Sequence, residues 1–110
     1  MSKFDECIQK YKQEFEGLGI SVDHDLLVKV TKGCGPAIYN PDSSKVSSSD
    51  KKELDRVRNN FLIKKLGCRR EECDEAITTV IRQMGSRNKN KYRAMFYYLL
   101  VKKLGKESAY

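Results

Sequence analysis

The sequence predicts an all-α fold: a compact single domain, residues 1–110, of about five helices with an aromatic C-terminal helix at its centre. Two observations predict this class. Apolar residues recur at helical spacing in five separate stretches. A glycine follows each stretch, where a residue without a Cβ favours the end of a helix. These glycines are Gly17, Gly33, Gly67, Gly85 and Gly105. The length of 110 residues is that of one domain.

The first two predicted helices cover residues 3–16 and 23–32. The apolar stripe of the first consists of Phe4, Ile8, Tyr11 and Phe15, at steps of four, three and four. The second turns Leu26, Leu27 and Val30 towards the core. Either Asp23 or Asp25 is expected to cap its start, because a carboxylate accepts hydrogen bonds from the free N–H groups there.

The third and fourth predicted helices cover residues 49–66 and 70–84. Asp50 and Glu53 resemble a capping box, which indicates the start of the third helix. Its apolar residues are Leu54, Val57, Phe61, Leu62 and Leu66. The apolar residues of the fourth are Cys73, Ile77, Val80, Ile81 and Met84. Its first turn is acidic, which suits the positive end of a helix dipole.

The fifth predicted helix covers residues 88–104 and is expected to be the main source of stability. Residues 94–101 form an unbroken apolar run, AMFYYLLV, which by itself also fits a buried strand. The polar residues on both sides, and Leu104 further along, favour a helix. Because the run is apolar on nearly all sides, this helix is expected to lie in the middle of the fold.

The positive charge of the chain is concentrated in its second half. Residues 1–55 hold 8 Lys and Arg against 10 Asp and Glu, whereas residues 56–110 hold 14 against 5. Eight basic residues and no acidic one lie between Arg82 and Lys106. Such a concentration of one sign indicates an anionic partner, although it does not identify one.

Four of these cations, Arg87, Lys89, Lys91 and Arg93, stand near the predicted start of the fifth helix and are called here the basic corner. Free backbone N–H groups together with Arg and Lys side chains can bind an anion at a helix start. A phosphate, a nucleic-acid backbone or an acidic protein surface would fit. The alternative is that these cations only contact water, or pair with the acidic first turn of the fourth helix.

The long irregular segment between the second and third helices, residues 33–48, is a second candidate for function, because long loops in compact domains are usually functional or mobile. Its candidate residues are Cys34, Tyr39 and Asn40. The glycines beside Lys32 lack the spacing and the preceding strand of a P-loop, so they are expected to end a helix and turn the chain. A nearby lysine could lower the pKa of Cys34, but His24 is the sole candidate base.

The residue types argue against several kinds of site. One histidine and four cysteines without a CxxC pair give no zinc pattern. The sequence shows no paired carboxylates and no catalytic triad, so we expect no metal, no cofactor and no enzymatic activity. The acidic first turn of the fourth helix argues against a DNA-binding helix-turn-helix, since it would repel phosphates.

The expected location is the cytoplasm. The first residues are polar and lead directly into an amphipathic helix, unlike a signal peptide. The apolar run of 8 residues is far shorter than the roughly 20 that a membrane helix needs. A chain of this size can form a core without disulfides, so its four cysteines are read as thiols of a reducing compartment.

Several stretches resemble a small uncharacterised bacterial family, domain of unknown function 2853. They are DLLVKVTKGCGPAIYN (residues 25–40), DSSKVS (42–47), NNFLIKKLG (59–67), RNKNKYRAMFYYLLVKK (87–103) and GKESAY (105–110). The segment CRREECD, residues 68–74, looks more charged than the family pattern. The resemblance implies a bacterial cytoplasmic protein. It brings no established activity, cofactor or partner, so no catalytic residue is carried over.

These observations predict a non-enzymatic interaction module. Its basic corner and the 33–48 loop would engage an acidic partner or a second copy of the chain. The alternative is binding of nucleic acid through its phosphates without sequence preference, with Tyr92 available to stack on a base. A small enzyme is the third hypothesis.

Overall fold

The computed structural model describes residues 2–85 and 87–110, which contain five α-helices and no β-strand. The helices are α1 (Lys3–Gly17), α2 (His24–Cys34), α3 (Lys51–Arg56), α4 (Arg70–Met84) and α5 (Arg93–Leu104). Two short 3₁₀ helices, Gly35–Tyr39 and Glu107–Ala109, and a π-helical segment, Val57–Ile63, complete the secondary structure of this part of the chain. The all-α, five-helix prediction is confirmed, and α4 has the predicted bounds.

Helix α5 lies at the centre of the fold, as predicted. Every residue from 94 to 101 is buried except Tyr97, which is half-buried. The helix packs against both α2 and α4. The ring of Tyr98 lies 5.3 Å from that of Phe15, and its hydroxyl accepts a hydrogen bond of 2.8 Å from the N–H of Asp23. Tyr98 therefore ties α5 both to α1 and to the residue that begins α2.

The start of α2 is predicted correctly, but its end is not. Asp23 is the N-cap, and its carboxylate accepts from the N–H of Leu26 at 3.3 Å. The helix continues through Gly33, and the chain turns at Gly35, whose φ of 66° favours glycine. Gly33 instead makes room for Tyr110, because a Cβ there would lie 3.3 Å from the Cε1 atom of that ring.

The third predicted helix is present, but it changes from an α-helix to a π-helix after Arg56. Asp50 caps α3, accepting from the N–H groups of Lys52 and Glu53 at 3.0 and 3.4 Å. From Val57 to Ile63 the chain is a π-helix, and the N–H of its C-cap, Lys64, donates to the carbonyl of Asn59, five residues earlier.

The π-helical winding explains how the apolar residues of this segment reach one core. Leu66 lies nine positions after Val57, which is about two and a half turns of an α-helix and would place them on opposite faces. Bonding to the fifth residue back widens the turns of the Val57–Ile63 segment, so fewer turns are made over the same distance along the chain. Val57 and Leu66 are accordingly both buried, together with Phe61 and Leu62.

The fifth helix begins at Arg93 rather than at Asn88, which corrects the prediction. The described residues before it form a turn and a bend, and the chain then pairs with the 33–48 loop through an antiparallel bridge between Lys45 and Tyr92. The N–H of Val46 donates to the carbonyl of Lys91 at 2.8 Å, and the N–H of Arg93 donates to that of Ser44 at 2.7 Å. Tertiary hydrogen bonds thus replace a first helical turn.

Candidate functional site

A cleft of about 600 Å³ lies between the two segments that this bridge joins. It is lined by Asp42, residues 45–49, residues 87–89 and Lys91. The later part of the predicted loop therefore meets the first part of the basic corner. The sequence marked both segments as candidates, and the structure brings them together.

One wall of the cleft is shaped by hydrogen bonds within the 33–48 loop. The side-chain oxygen of Asn40 accepts from the N–H of Asp42 at 2.9 Å, which makes an Asx turn. The hydroxyls of Ser43 and Ser44 donate to the carbonyls of Ala37 and Pro41. These short-range bonds direct the following residues, Lys45 to Ser49, along the cleft.

The opposite wall is shaped by two asparagines and a glycine. Gly85 ends α4 with a φ of 96°. The amide of Asn88 donates to the carbonyl of Met84 at 3.0 Å, and its oxygen accepts from the N–H of Asn90 at 2.8 Å. The side chain of Asn90 then accepts from the Nζ of Lys45 at 3.1 Å, which links the two walls.

Arg87 and Lys89 are exposed on the wall of the cleft. Among the described residues, neither has a carboxylate within ion-pair distance. The acidic first turn of α4 is engaged elsewhere, since Glu72 pairs with Arg69 and Asp74 with Arg58. Pairing with that turn, one of the two alternatives drawn from the sequence, therefore does not occur.

Lys91 is placed differently from the prediction. It is only 2% exposed, and its Nζ donates to the carbonyl of Asn88 at 2.6 Å. Burial lowers the pKa of Lys91, because removing an ammonium from water favours its neutral form. Lys91 lines the cleft as part of its base and is not a surface cation.

Arg93 is likewise not available to an external anion, which corrects the fourth member of the basic corner. Its Nε donates to the carbonyl of Ser43 at 2.8 Å, and one Nη donates to the hydroxyl of Tyr97 at 3.0 Å. The other Nη forms an ion pair with Glu53. Arg93 therefore holds the loop, α3 and α5 together.

The start of α5 is also closed to an anion. The N–H of Arg93 is bonded to Ser44, and that of Phe96 to the carbonyl of Tyr92. Ala94 and Met95, which follow, are buried. Any anion-binding capacity of this region therefore resides in the side chains around the cleft and not in the helix end.

The three loop residues singled out in the sequence do not line the cleft. The thiol of Cys34 is half-buried, and burial raises its pKa to about 11 despite the opposing charges of Arg93 and Lys65, so it is not an activated nucleophile. Tyr39 lies half-exposed beside Cys7 at a separate cavity of about 420 Å³. Asn40 forms the turn described above.

The structure adds Lys45 and the serines Ser47, Ser48 and Ser49 to the site. Sequence reasoning missed them because Lys45 and Arg87 are far apart along the chain. The available signal was the composition of SKVSSS, residues 44–49, in which hydroxyls surround a lysine inside a long loop. Only the bridge to the 87–91 segment turns this composition into a surface facing the basic residues.

Within residues 2–85 and 87–110, no three side chains of the His, Cys, Asp and Glu types converge to hold a metal ion. None of the helices in the same part of the chain is long and apolar enough to cross a lipid bilayer.

Comparison with known proteins places the chain in a family. No curated protein shows significant similarity to it. The family model described as "Protein of unknown function (DUF2853)" matches residues 9–108, which is nearly the whole chain and includes every residue of the cleft. The chain therefore belongs to this family of unknown function.

Proposed function

We propose that the protein is a non-enzymatic binding module that holds an acidic segment of a partner protein in the cleft. The observation that carries this proposal is the position of Arg87 and Lys89, exposed on the cleft wall and without a carboxylate partner in the described chain. The chain has 15 acidic residues, and several of its other cations are paired with them. Cations left unpaired in a concave site favour an external anion.

The aromatic residue that nucleic-acid binding would use is already engaged. The ring of Tyr92 lies 5.5 Å from that of Tyr11, and the Nζ of Lys10 lies 4.4 Å from its centroid. Stacking of a base on Tyr92 would have to displace these contacts. Phosphate binding by the cations alone then becomes an outcome to be tested.

Self-association has little apolar surface to draw on. Of the large apolar side chains in the described residues, Tyr39 and Ile63 are exposed, at 48% and 37%. A stable interface between two copies normally contains an apolar core. An acidic partner needs no such core, because charge complementarity drives its association.

We also propose that the module works in the cytoplasm of a bacterium. All four cysteines are free thiols in the structure, and Cys68 and Cys73 are fully enclosed in the core. Free thiols are typical of a reducing compartment. Fractionation of the source cell, followed by detection of the protein with an antibody, tests this location.

The binding proposal is tested with labelled polyglutamate as the acidic probe. The cleft variant is Arg87→Glu with Lys89→Glu, and the control is Lys29→Glu with Lys64→Glu, which makes the same charge change at exposed positions outside the cleft. We expect the cleft variant to bind polyglutamate at least about tenfold more weakly than the native protein. The control should stay within about threefold of native, because the cleft is unchanged.

Three outcomes would contradict the proposal. Equal weakening in both variants would show that net charge alone drives binding. A gel shift with unrelated DNA or RNA at about 100 mM salt, lost in the cleft variant and stronger than polyglutamate binding, would favour nucleic acid. A dimer seen by light scattering and abolished in the cleft variant would favour a second copy of the chain.

A further inference from the structure

The serines between residues 43 and 49 fall into two groups with different surroundings. Ser43 and Ser44 use their hydroxyls inside the loop, as described above. Ser47, Ser48 and Ser49 line the cleft, and within residues 2–85 and 87–110 their hydroxyls make no hydrogen bond to protein. Three adjacent serines thus line the same cavity as Lys45, Arg87 and Lys89.

We propose that the cleft binds a phosphate monoester, carried on a serine or threonine side chain of the partner. This inference rests on the proposed function and specifies which anion the partner brings. A phosphate offers three terminal oxygens in different directions, whereas a carboxylate offers two in one plane. Serines and Lys45 on one wall, with Arg87 and Lys89 on the other, match the oxygens of a phosphate more fully than those of a carboxylate.

The charge around the cleft also favours a dianion over a carboxylate. Its lining contains four basic side chains, Lys45, Arg87, Lys89 and Lys91, and one acidic side chain, Asp42. Lys45, Arg87 and Lys89 have no carboxylate partner among the described residues, so their charge is not compensated there. A phosphoserine carries close to two negative charges at neutral pH, so it compensates more of this excess than a glutamate does.

The dimensions of the cleft fit a phosphorylated side chain together with its neighbours. Its volume of about 600 Å³ lies in the middle of the range of ligand sites. A phosphate alone would leave most of this space to water. The remaining length, along Val46 and Ser47, gives room for the flanking peptide.

The test uses three capped peptides of one sequence, rich in glycine and alanine, with phosphoserine, glutamate or serine at the central position. Affinities are measured by calorimetry for the native protein and for the triple variant Ser47→Ala, Ser48→Ala, Ser49→Ala, which leaves every charge in place. The matched control is Ser21→Ala with Ser108→Ala, two exposed serines outside the cleft. Amide shifts of residues 45–49 and 87–91 in NMR spectra report independently whether the peptide occupies the cleft.

We expect the native protein to bind the phosphopeptide at least about tenfold more tightly than the glutamate peptide, since charge-assisted hydrogen bonds to phosphate are added. The triple variant should reduce this preference to within about threefold, while the control retains it. Equal affinities of the native protein for the two peptides, or a preference that survives the triple variant, would overturn the inference. Free phosphoserine binding as tightly as the phosphopeptide would overturn the partner protein as the source of the phosphate.

The outcomes also separate this inference from the proposed function. If polyglutamate binding depends on Arg87 and Lys89 while the native protein does not distinguish the two peptides, the inference fails and the acidic-partner module stands. If reversing those two charges leaves polyglutamate binding unchanged, the proposed function itself fails.

Discussion

Helix α5 begins directly after the segment that lines the cleft, yet the polar side chains of the two regions are bonded differently. Around α5, the hydroxyl of Tyr98 bonds to Asp23, and Arg93 bonds to Tyr97 and Glu53. On the cleft wall, Arg87 and Lys89 have no acidic partner among the described residues. The comparison indicates that the polar groups around α5 contribute to the stability of the fold, whereas Arg87 and Lys89 contribute little to it.

The largest expected effect falls on α5 itself. Replacing Phe96 or Leu99 with alanine should lower the free energy of unfolding by about 2–5 kcal/mol, because each leaves a cavity in a fully packed core. Urea unfolding followed by circular dichroism measures this change. A midpoint close to that of the native protein for both variants would refute the central role of the helix.

The next effect concerns the residue between the two regions. Arg93→Ala should lower the free energy of unfolding by about 2–3 kcal/mol, because Glu53 and the carbonyl of Ser43 lose their donor in a half-buried site. Arg93→Lys is the control, because a lysine keeps the positive charge but cannot donate to Ser43, Tyr97 and Glu53 at the same time in the guanidinium geometry. The same urea experiment should place the lysine variant between native and alanine, and no loss in the alanine variant would contradict the assignment.

A smaller effect follows from Cys34, which lies near Arg93. Its pKa is raised by burial from 9.0 to about 11, so the folded state holds a proton that the unfolded state releases. The stabilisation is complete below pH 9 and is lost as the pH rises through 11, by at most about 3 kcal/mol. Urea unfolding at pH 8 and pH 10 in a reducing agent should show a steeper loss for the native protein than for Cys34→Ala, and parallel losses would contradict it.

The effect of replacing Gly33 with alanine on stability should depend on Tyr110, whose ring lies against Gly33. Alanine at a helical glycine usually stabilises by about 0.5–1 kcal/mol, but here the new Cβ would press on the ring of Tyr110. We expect Gly33→Ala to be neutral or destabilising in the native chain and stabilising in a Tyr110→Ala background. Thermal melting of the four proteins in this cycle measures the difference, and equal effects in both backgrounds would exclude the contact.

The smallest expected effect on stability belongs to the cleft. Arg87→Glu with Lys89→Glu should change the free energy of unfolding by no more than about 0.5 kcal/mol, because both side chains are exposed and make no ion pair in the described chain. Urea unfolding beside the binding assay measures both properties on one sample. A loss comparable to that of Arg93→Ala would mean that these cations are structural.

Most of the fold could be predicted from local patterns in the sequence. Five apolar stripes, the caps at Asp23 and Asp50 and the exact span of α4 follow from residue types that act within one or two turns. The start of α5 could not be predicted in this way. Lys91 and Arg93 are held by backbone bonds to Val46 and Ser44, more than forty residues away in the sequence, and no local pattern indicates such a partner.

The sequence predicted which segments of the chain form the candidate site, but it did not predict which residues of those segments line it. Charge clustering correctly marked Arg87 and Lys89 as exposed cations. The same clustering included Lys91 and Arg93. Their side chains donate hydrogen bonds to the carbonyls of Asn88 and Ser43 and so point into the protein instead of into solvent. A sequence pattern shows the charge of a side chain, but it does not show the direction in which tertiary contacts orient that side chain.

The π-helical segment has a consequence for the length of the chain. Its wide turn accommodates one residue more than an α-helix would need, and Asn59 and Asn60 are exposed within it. Deleting either asparagine would leave the number of residues that an α-helix needs, so the stretch can rewind more tightly with its two ends still in phase. The segment is therefore a place where the chain can lose one residue without turning its second half against the first.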